Sequence, residues 1–285
     1  MRIAFFGTPD FAIPSLRAIR KKVVCIVTQP DKPIGRGGKV QYSAVKKFGL
    51  EHKIPVLQPE KISKELEILD KYKIDLIVTC AFGQMLKQNV LNYCKYGVIN
   101  VHGSILPKYR GSSPIQWAII KGETKTGVTI MHTDIGMDTG DMILVKELEI
   151  GAEETAGELF ERMAELGAKA LVEVLKQIKK GTNTRTPQNH DEATKYPMLN
   201  KETAKIDFEN MMAVEVVNWV RGMNPWPVAW CIHDDKVVRV FKASVGDKGL
   251  VKKCKDGSVQ LDIIQLEGGK VLPTRDYING RKIQL

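Results

Sequence analysis

Apolar runs broken by Gly, Pro and charged clusters divide this chain into short strands and amphipathic helices. Residues 2–6 are apolar after the first position and read as a buried strand. Gly7-Thr8-Pro9-Asp10 then turns into a helix at about 11–21, and 23–28 is a second apolar strand. Strand, helix and strand at this spacing form a βαβ unit and call for a parallel sheet. Helical spacing recurs at 43–48 and 61–72, with a strand at 74–79 ahead of Ala81-Phe82-Gly83-Gln84. Residues 97–101 are short, apolar and β-branched. Ser113 and Pro114 mark the start of a helix over 114–121 that stops at Gly122. Strand alternation over 127–133 and 142–149 brackets a turn at 134–140 with Asp138 at its tip.

Residues 154–180 form one long helix, with Leu159, Met163, Leu166, Ala170, Val174 and Ile178 on a single face. The next stretch, to about 204, is polar, holds two prolines and lacks periodicity, as a linker does. A helix over 207–221 follows. Short alternating segments at 228–232, 237–241, 259–265 and 270–272 are separated by turns, the pattern of a small β-barrel. The expected architecture is α/β: a Rossmann-like parallel-sheet domain over 1–180, a linker over 181–205 and a smaller OB-like barrel domain over 206–285.

A chain of 285 residues that is 43% hydrophobic can bury a large core and is expected to make two domains. No apolar run approaches the roughly 20 residues of a membrane span, and residue 1 leads directly into a strand, so no membrane partner is expected. Five scattered cysteines without a C-x-x-C pair read as reduced thiols of a cytoplasmic protein. The net charge of +10 is unevenly placed, because the first fifty residues hold ten Lys/Arg against two acids. That concentration favours a polyanionic partner, although a solvated basic surface explains it as well.

The chemistry gathers between 96 and 141. Asn100 and His102 stand two apart at the end of a strand, on one face. An unpaired buried polar group costs roughly 1–3 kcal/mol, so a core strand has no use for both unless each finds a partner. Gly103 and Pro107 then force a loop at the strand's C-terminal edge, where open α/β sheets place ligands. An amide, an imidazole and a carboxylate suit acyl transfer to an amine: the amide can donate to the oxyanion, the imidazole can donate to it or move protons, and the carboxylate can orient the imidazole. No G-x-S-x-G elbow is present and no cysteine adjoins these residues. The plainer reading, turn residues satisfied by backbone and a solvent-facing acid, fits the spacing equally.

Other motifs are absent. G-x-G-x-x-G does not follow the first strand, and the phosphate-loop pattern fails after 35–39 because Val40 stands where a hydroxyl residue is required. His52, His132, His190 and His233 have no metal-ligand spacing, so no metal is expected. His132 is expected to be a satisfied strand residue.

The run N-V-H-G-S-I-L-P-K-Y-R-G followed by M-D-T-G-D resembles the signature of formyltransferases that use 10-formyltetrahydrofolate. FFGTPDFA, TQPDKPIGRGGK, TGVTIMHTDIGMDTGD and NPWPVAW are similar, in the same order, to blocks of the branch that acts on methionyl-tRNA. The resemblance implies a catalytic trio of Asn100, His102 and Asp138. It implies that Ser104, Ile105, Leu106 and Pro107 hold the folate, and that Phe82 and Leu86 wall its pocket. It also implies that Lys32, Arg36 and Lys39 reach the acceptor arm of tRNA, with help from the C-terminal barrel. The expected partners are 10-formyltetrahydrofolate as formyl donor and initiator methionyl-tRNA as acceptor, met by a monomer. A formyltransferase of small amines or a 10-formyltetrahydrofolate hydrolase would share the trio, and a non-catalytic RNA-binding module would share the charge.

Overall fold

The computed structural model describes residues 1–34 and 39–280. It opens with β1 (Ile3–Gly7), α1 (Ile13–Ile19) and β2 (Val23–Val27). Next come a small antiparallel pair, β3 (Lys32–Ile34) with β4 (Lys39–Gln41), then α2 (Ala44–Glu51) and β5 (Val56–Leu57). β6 (Leu76–Cys80), α3 (Gln88–Leu91), β7 (Val98–His102) and α4 (Pro114–Ile120) lead to β8 (Lys125–His132), β9 (Met142–Glu149) and the long α5 (Ala156–Lys180). Seven strands lie side by side in the order β5-β2-β1-β6-β7-β8-β9. The first five are parallel and β8 runs against β7.

All five residues of β1 and all five of β6 are buried, the continuous apolar burial of parallel strands covered on both faces. The chain adds strands outward from β1 through β2 to β5, then returns to the other side of β1 with β6. The order therefore reverses between β1 and β6, and the crevice beyond their C-terminal ends is where such sheets bind ligands. α5 lies close against β7, since a Cβ at Gly167 would stand 2.9 Å from Val101 Cγ1.

Two helices differ from expectation for local reasons. Pro14 lacks an N–H and belongs to the first turn, so α1 starts at Ile13 with 3-10 turns on either side instead of running from 11 to 21. Residues 62–72 form 3-10 turns rather than an α-helix; the amides of Lys61 and Ile62 are taken by the side chains of Glu65 and Gln84. Ser113 occupies the cap position of α4 but its side chain makes no capping bond.

By Cα proximity the chain forms two compact units. The first is Met1–Ser112, Gly127–Leu148 and Phe160–Lys195, and the second is Ser113–Thr126, Glu149–Leu159 and Tyr196–Leu285. In the second, α6 (Ala213–Met223) precedes β10 (Ala229–His233), β11 (Lys236–Val245), β12 (Val251–Cys254), β13 (Gly257–Leu266), β14 (Leu272–Pro273) and α7 (Thr274–Asn279). The strands are antiparallel in the order β10-β11-β13-β12, with β14 on β13. They make a curled half-barrel, the form taken here by the small barrel that the alternation implied, and among the described residues β10 and β12 are its edges. Its inward residues, among them Val238, Val240, Leu261 and Ile264, are buried, and α6 packs against β11 and β13. α6 starts six residues later than the pattern implied, because Asp207 Oδ1 accepts from the Asn210 amide and holds a turn there.

Candidate active site

β7 reads Val-Ile-Asn-Val-His, and only Asn100 of the five is not fully buried. In register across the parallel pair, Thr79 of β6 faces Asn100. Thr79 Oγ1 donates to Asn100 Oδ1 at 2.8 Å. With its oxygen taken, the Asn100 carboxamide is left with two N–H groups to donate.

His102 lies two residues further on the same face and is 5% exposed. Its Nε2 is 3.0 Å from the carbonyl oxygen of Tyr109. A carbonyl only accepts, so Nε2 carries the hydrogen. Nδ1 stands 3.6 Å from Asp138 Oδ1. In the neutral ring Nδ1 is then a bare acceptor facing a carboxylate, an arrangement that is attractive only with a proton held by one partner or the other.

Asp138 is fixed from several sides. Its Oδ2 accepts from the Gly111 amide at 2.9 Å. Its backbone sits at φ 54°, a left-handed conformation that Asp tolerates better than most residues. Asp134 Oδ1 braces the same turn by accepting from Gly136 N at 3.0 Å and from Thr139 Oγ1 at 2.5 Å. Gly140 closes it, since a Cβ there would lie 2.0 Å from the carbonyl oxygen of His132. Gln188 Nε2 donates to the carbonyls of Asp138 and Gly140 at 2.9 and 2.7 Å. Gln188 Oε1 in turn accepts from Arg110 Nε and Nη2 at 3.1 and 2.7 Å.

Arg110 and Gln188 are absent from the residues that the sequence singled out. Arg110 stands inside the quoted K-Y-R-G run, whereas Gln188 lies in the aperiodic stretch read as linker. There Thr186 bridges Met142, and Lys195 bridges Arg110.

The proposed folate loop is tied to β8. Ser104 is fully buried, and its Oγ donates to the Lys108 carbonyl at 2.7 Å. Thr129 Oγ1 donates to the Ser104 carbonyl at 2.7 Å and accepts from the Leu106 amide at 3.2 Å. Leu106 is buried, while Ile105 and Pro107 are partly exposed. Phe82 and Leu86 belong to the core: they are 4% and 8% exposed and share a buried cluster with Phe6, whose ring centroid is 5.1 Å from that of Phe82. In the same segment the accessible groups are Ala81, Gly83 and Met85.

Of the residues linked to tRNA, Lys32 is the first residue of β3 and Lys39 the first of β4, and Arg36 lies outside the described residues. The hairpin's base is tied down. The Asp31 carboxylate pairs with Lys46 Nζ and accepts from Gln58 Nε2 at 2.9 Å, and these bonds hold its pKa below the usual carboxylate range.

His132 is not the satisfied strand residue expected. Its buried Nε2 has no hydrogen-bond partner, and its pKa is pushed down to about 4, by burial first and then by the Arg185 cation. Among the described residues, no three His, Cys, Asp or Glu side chains gather as a metal site would need.

Comparison with known proteins gives the family. A family model described as "Formyl transferase" matches residues 1–175, and one described as "Formyl transferase, C-terminal domain" matches 198–282. The chain belongs to the formyl transferase family. This formyl transferase is 44% identical over 305 residues to the methionyl-tRNA formyltransferase of Ruminiclostridium cellulolyticum, with 99% of this chain and 97% of that one covered. It is 45% identical over 304 residues to that of Acetivibrio thermocellus, with the same coverage. Solved structures at lower identity share the fold. The N-formyltransferase of Helicobacter canadensis, determined with folinic acid and dTDP-3-aminofucose, matches with a TM-score of 0.69 at 19% identity, covering 96% of this formyl transferase and 99% of that chain. HypX of Aquifex aeolicus, determined with tetrahydrofolic acid, gives 0.65 at 20% identity, covering 98% of this formyl transferase and 47% of that chain.

Proposed function

We propose that this protein transfers the formyl group of 10-formyltetrahydrofolate to the α-amine of methionyl-tRNA, the initiator species, giving formylmethionyl-tRNA in the cytoplasm. The observation that carries the reading is the placement of His102 against Asp138 at the strand edge where Asn100 keeps its N–H groups free, in a chain with full-length likeness to methionyl-tRNA formyltransferases. The donor supplies an acyl carbon already bonded to nitrogen, so no nucleophilic side chain is needed. The acceptor amine bonds to that carbon, and the carbonyl oxygen gains the negative charge.

Asn100 donates to that oxygen, a contact that strengthens as the charge develops. The Asp138–His102 pair accepts the proton that the amine releases. As the bond from the formyl carbon to the folate nitrogen breaks, the same pair returns a proton to that nitrogen. Both nitrogens of His102 are engaged, so its part is to share the proton with Asp138, and the oxyanion falls to Asn100. An α-amine has a pKa of about 8, so a useful fraction is neutral without strong activation.

The test is incubation with 10-formyltetrahydrofolate and charged initiator tRNA, followed by detection of formylmethionine. Formate released without an acceptor would instead identify a hydrolase. Formylation of small amines with none of the charged tRNA would move the protein to a different substrate class.

A further inference from the structure

Arg110 is 5% exposed, yet no carboxylate among the described residues pairs with it; its side-chain bonds go to Gln188 Oε1 and, at 3.1 Å, to His190 Nδ1. A buried guanidinium without a carboxylate partner is costly to keep. What it does hold is Gln188, also 5% exposed, whose amide nitrogen spans the carbonyls of Asp138 and Gly140. The next residue after Arg110, Gly111, donates its backbone N–H to the Asp138 carboxylate. The bonds close a ring: Asp138 carboxylate, Gly111, Arg110, Gln188, Asp138 carbonyl.

We infer that Gln188, held by Arg110, is a positioning residue that keeps the Asp138 carboxylate against His102. The left-handed backbone at Asp138 needs such a brace, because strained conformations persist only where their surroundings over-determine them. The guanidinium draws electron density from Gln188 Oε1, which strengthens the two N–H bonds to the loop. Gln188 itself touches no reacting atom. The inference rests on the formyl-transfer reading for its kinetic arm only.

Gln188→Glu separates positioning from mere tethering of Arg110. A glutamate still accepts from Arg110, as an ion pair, but turns an oxygen toward the two carbonyls in place of N–H groups. Gln188→Met removes both sets of bonds. With wild type assayed in parallel, we expect both variants to bind the folate donor within about threefold of wild type. Both should lose kcat at least about tenfold, since a displacement near 1 Å can cost on the order of 10²-fold. Arg110→Lys, which keeps a single N–H for Gln188, should lose kcat less.

A substrate-free readout accompanies these. Exchange of the Gly111 amide, followed by hydrogen–deuterium exchange over 109–113, should speed up about tenfold in Gln188→Glu. If Gln188→Glu turns over within threefold of wild type and its Gly111 amide stays protected, the inference is wrong and Gln188 serves only Arg110. If Gln188→Glu does not fold, faster Gly111 exchange in Arg110→Lys supports the brace and unchanged exchange overturns it. If wild type itself does not formylate methionyl-tRNA, the exchange arm still decides the brace while the functional reading falls.

Discussion

Asn100 and His102 stand two residues apart on one strand but are held by different means, and their substitutions should behave differently. Asn100→Ala removes the proposed oxyanion donor and should lower kcat by about 10²–10³ with donor affinity little changed. Asp138→Asn keeps the bond from the Gly111 amide but removes the proton acceptor, and should lower kcat by roughly 10²–10⁴. Single-turnover rates with pre-bound donor would measure both; a loss under tenfold in Asp138→Asn would remove the carboxylate from the proton path. Thr79→Val deletes the bond that turns the Asn100 amide, together with a longer one to the Ile99 carbonyl at 3.3 Å. A neutral hydrogen bond contributes about 0.5–1.5 kcal/mol, so a loss of about three- to tenfold in kcat is expected.

His132 gives a residue-scale prediction of another kind. Its folded pKa, about 4, lies below the ordinary 6.5, so between those values the unfolded chain binds the proton that the folded one refuses. Its contribution to stability is therefore present above about pH 6.5 and is lost as pH falls toward 4, with a slope of at most roughly 1.4 kcal/mol per pH unit. Urea unfolding at several pH values should show this slope in wild type and a shallower one in His132→Gln.

At the scale of elements, the strands of the parallel sheet were legible because each is a short apolar run between turn residues. β1, β2 and β6 appear within a residue or two of their expected bounds. Helix ends were less so, since they are settled by single bonds that no periodicity carries, such as Asp207 to the Asn210 amide before α6. Asn100, His102 and Asp138 could be singled out because polar residues beside breakers are conspicuous in an apolar pattern. Gln188 was not, since its role depends on 78 residues of separation from Arg110 and on burial that a polar stretch does not advertise. Phe82 and Leu86 show the reverse case: both are buried in the cluster around Phe6, and an apolar run does not by itself tell core packing from the wall of a site. The turn that carries Asp138 is itself an element with a weak point. At Gly140→Ala the new methyl would overlap the His132 carbonyl, a backbone atom that cannot swing aside. We expect a loss of about 1–3 kcal/mol in stability and a fall in kcat larger than that of a control variant matched for melting temperature.

For the whole molecule, the net charge of +10 bears on the acceptor more than on the donor, and its uneven placement makes the effect testable. Not every basic residue of the first fifty is available, because Lys46 is committed to Asp31 and Gln58 and lies 3.9 Å over the Tyr42 ring. Lys32 and Lys39 begin the paired strands β3 and β4, and Arg36 falls between them in the sequence. Each lysine that meets a phosphate releases a counterion, so Lys32→Ala and Lys39→Ala should weaken binding of all tRNAs alike. Each should also flatten the slope of log affinity against log salt by up to about one unit. Lys46→Met should leave that slope unchanged, because its charge is already neutralised. Arginine can make two directed hydrogen bonds to a base edge, so Arg36→Ala should cost discrimination between initiator and elongator methionyl-tRNA, on the order of 1–3 kcal/mol, with folate binding intact. Formylation efficiency on both tRNAs across a salt series measures all four variants together. Equal slopes in wild type, Lys32→Ala and Lys39→Ala would take the hairpin out of tRNA binding, whatever Arg36→Ala does.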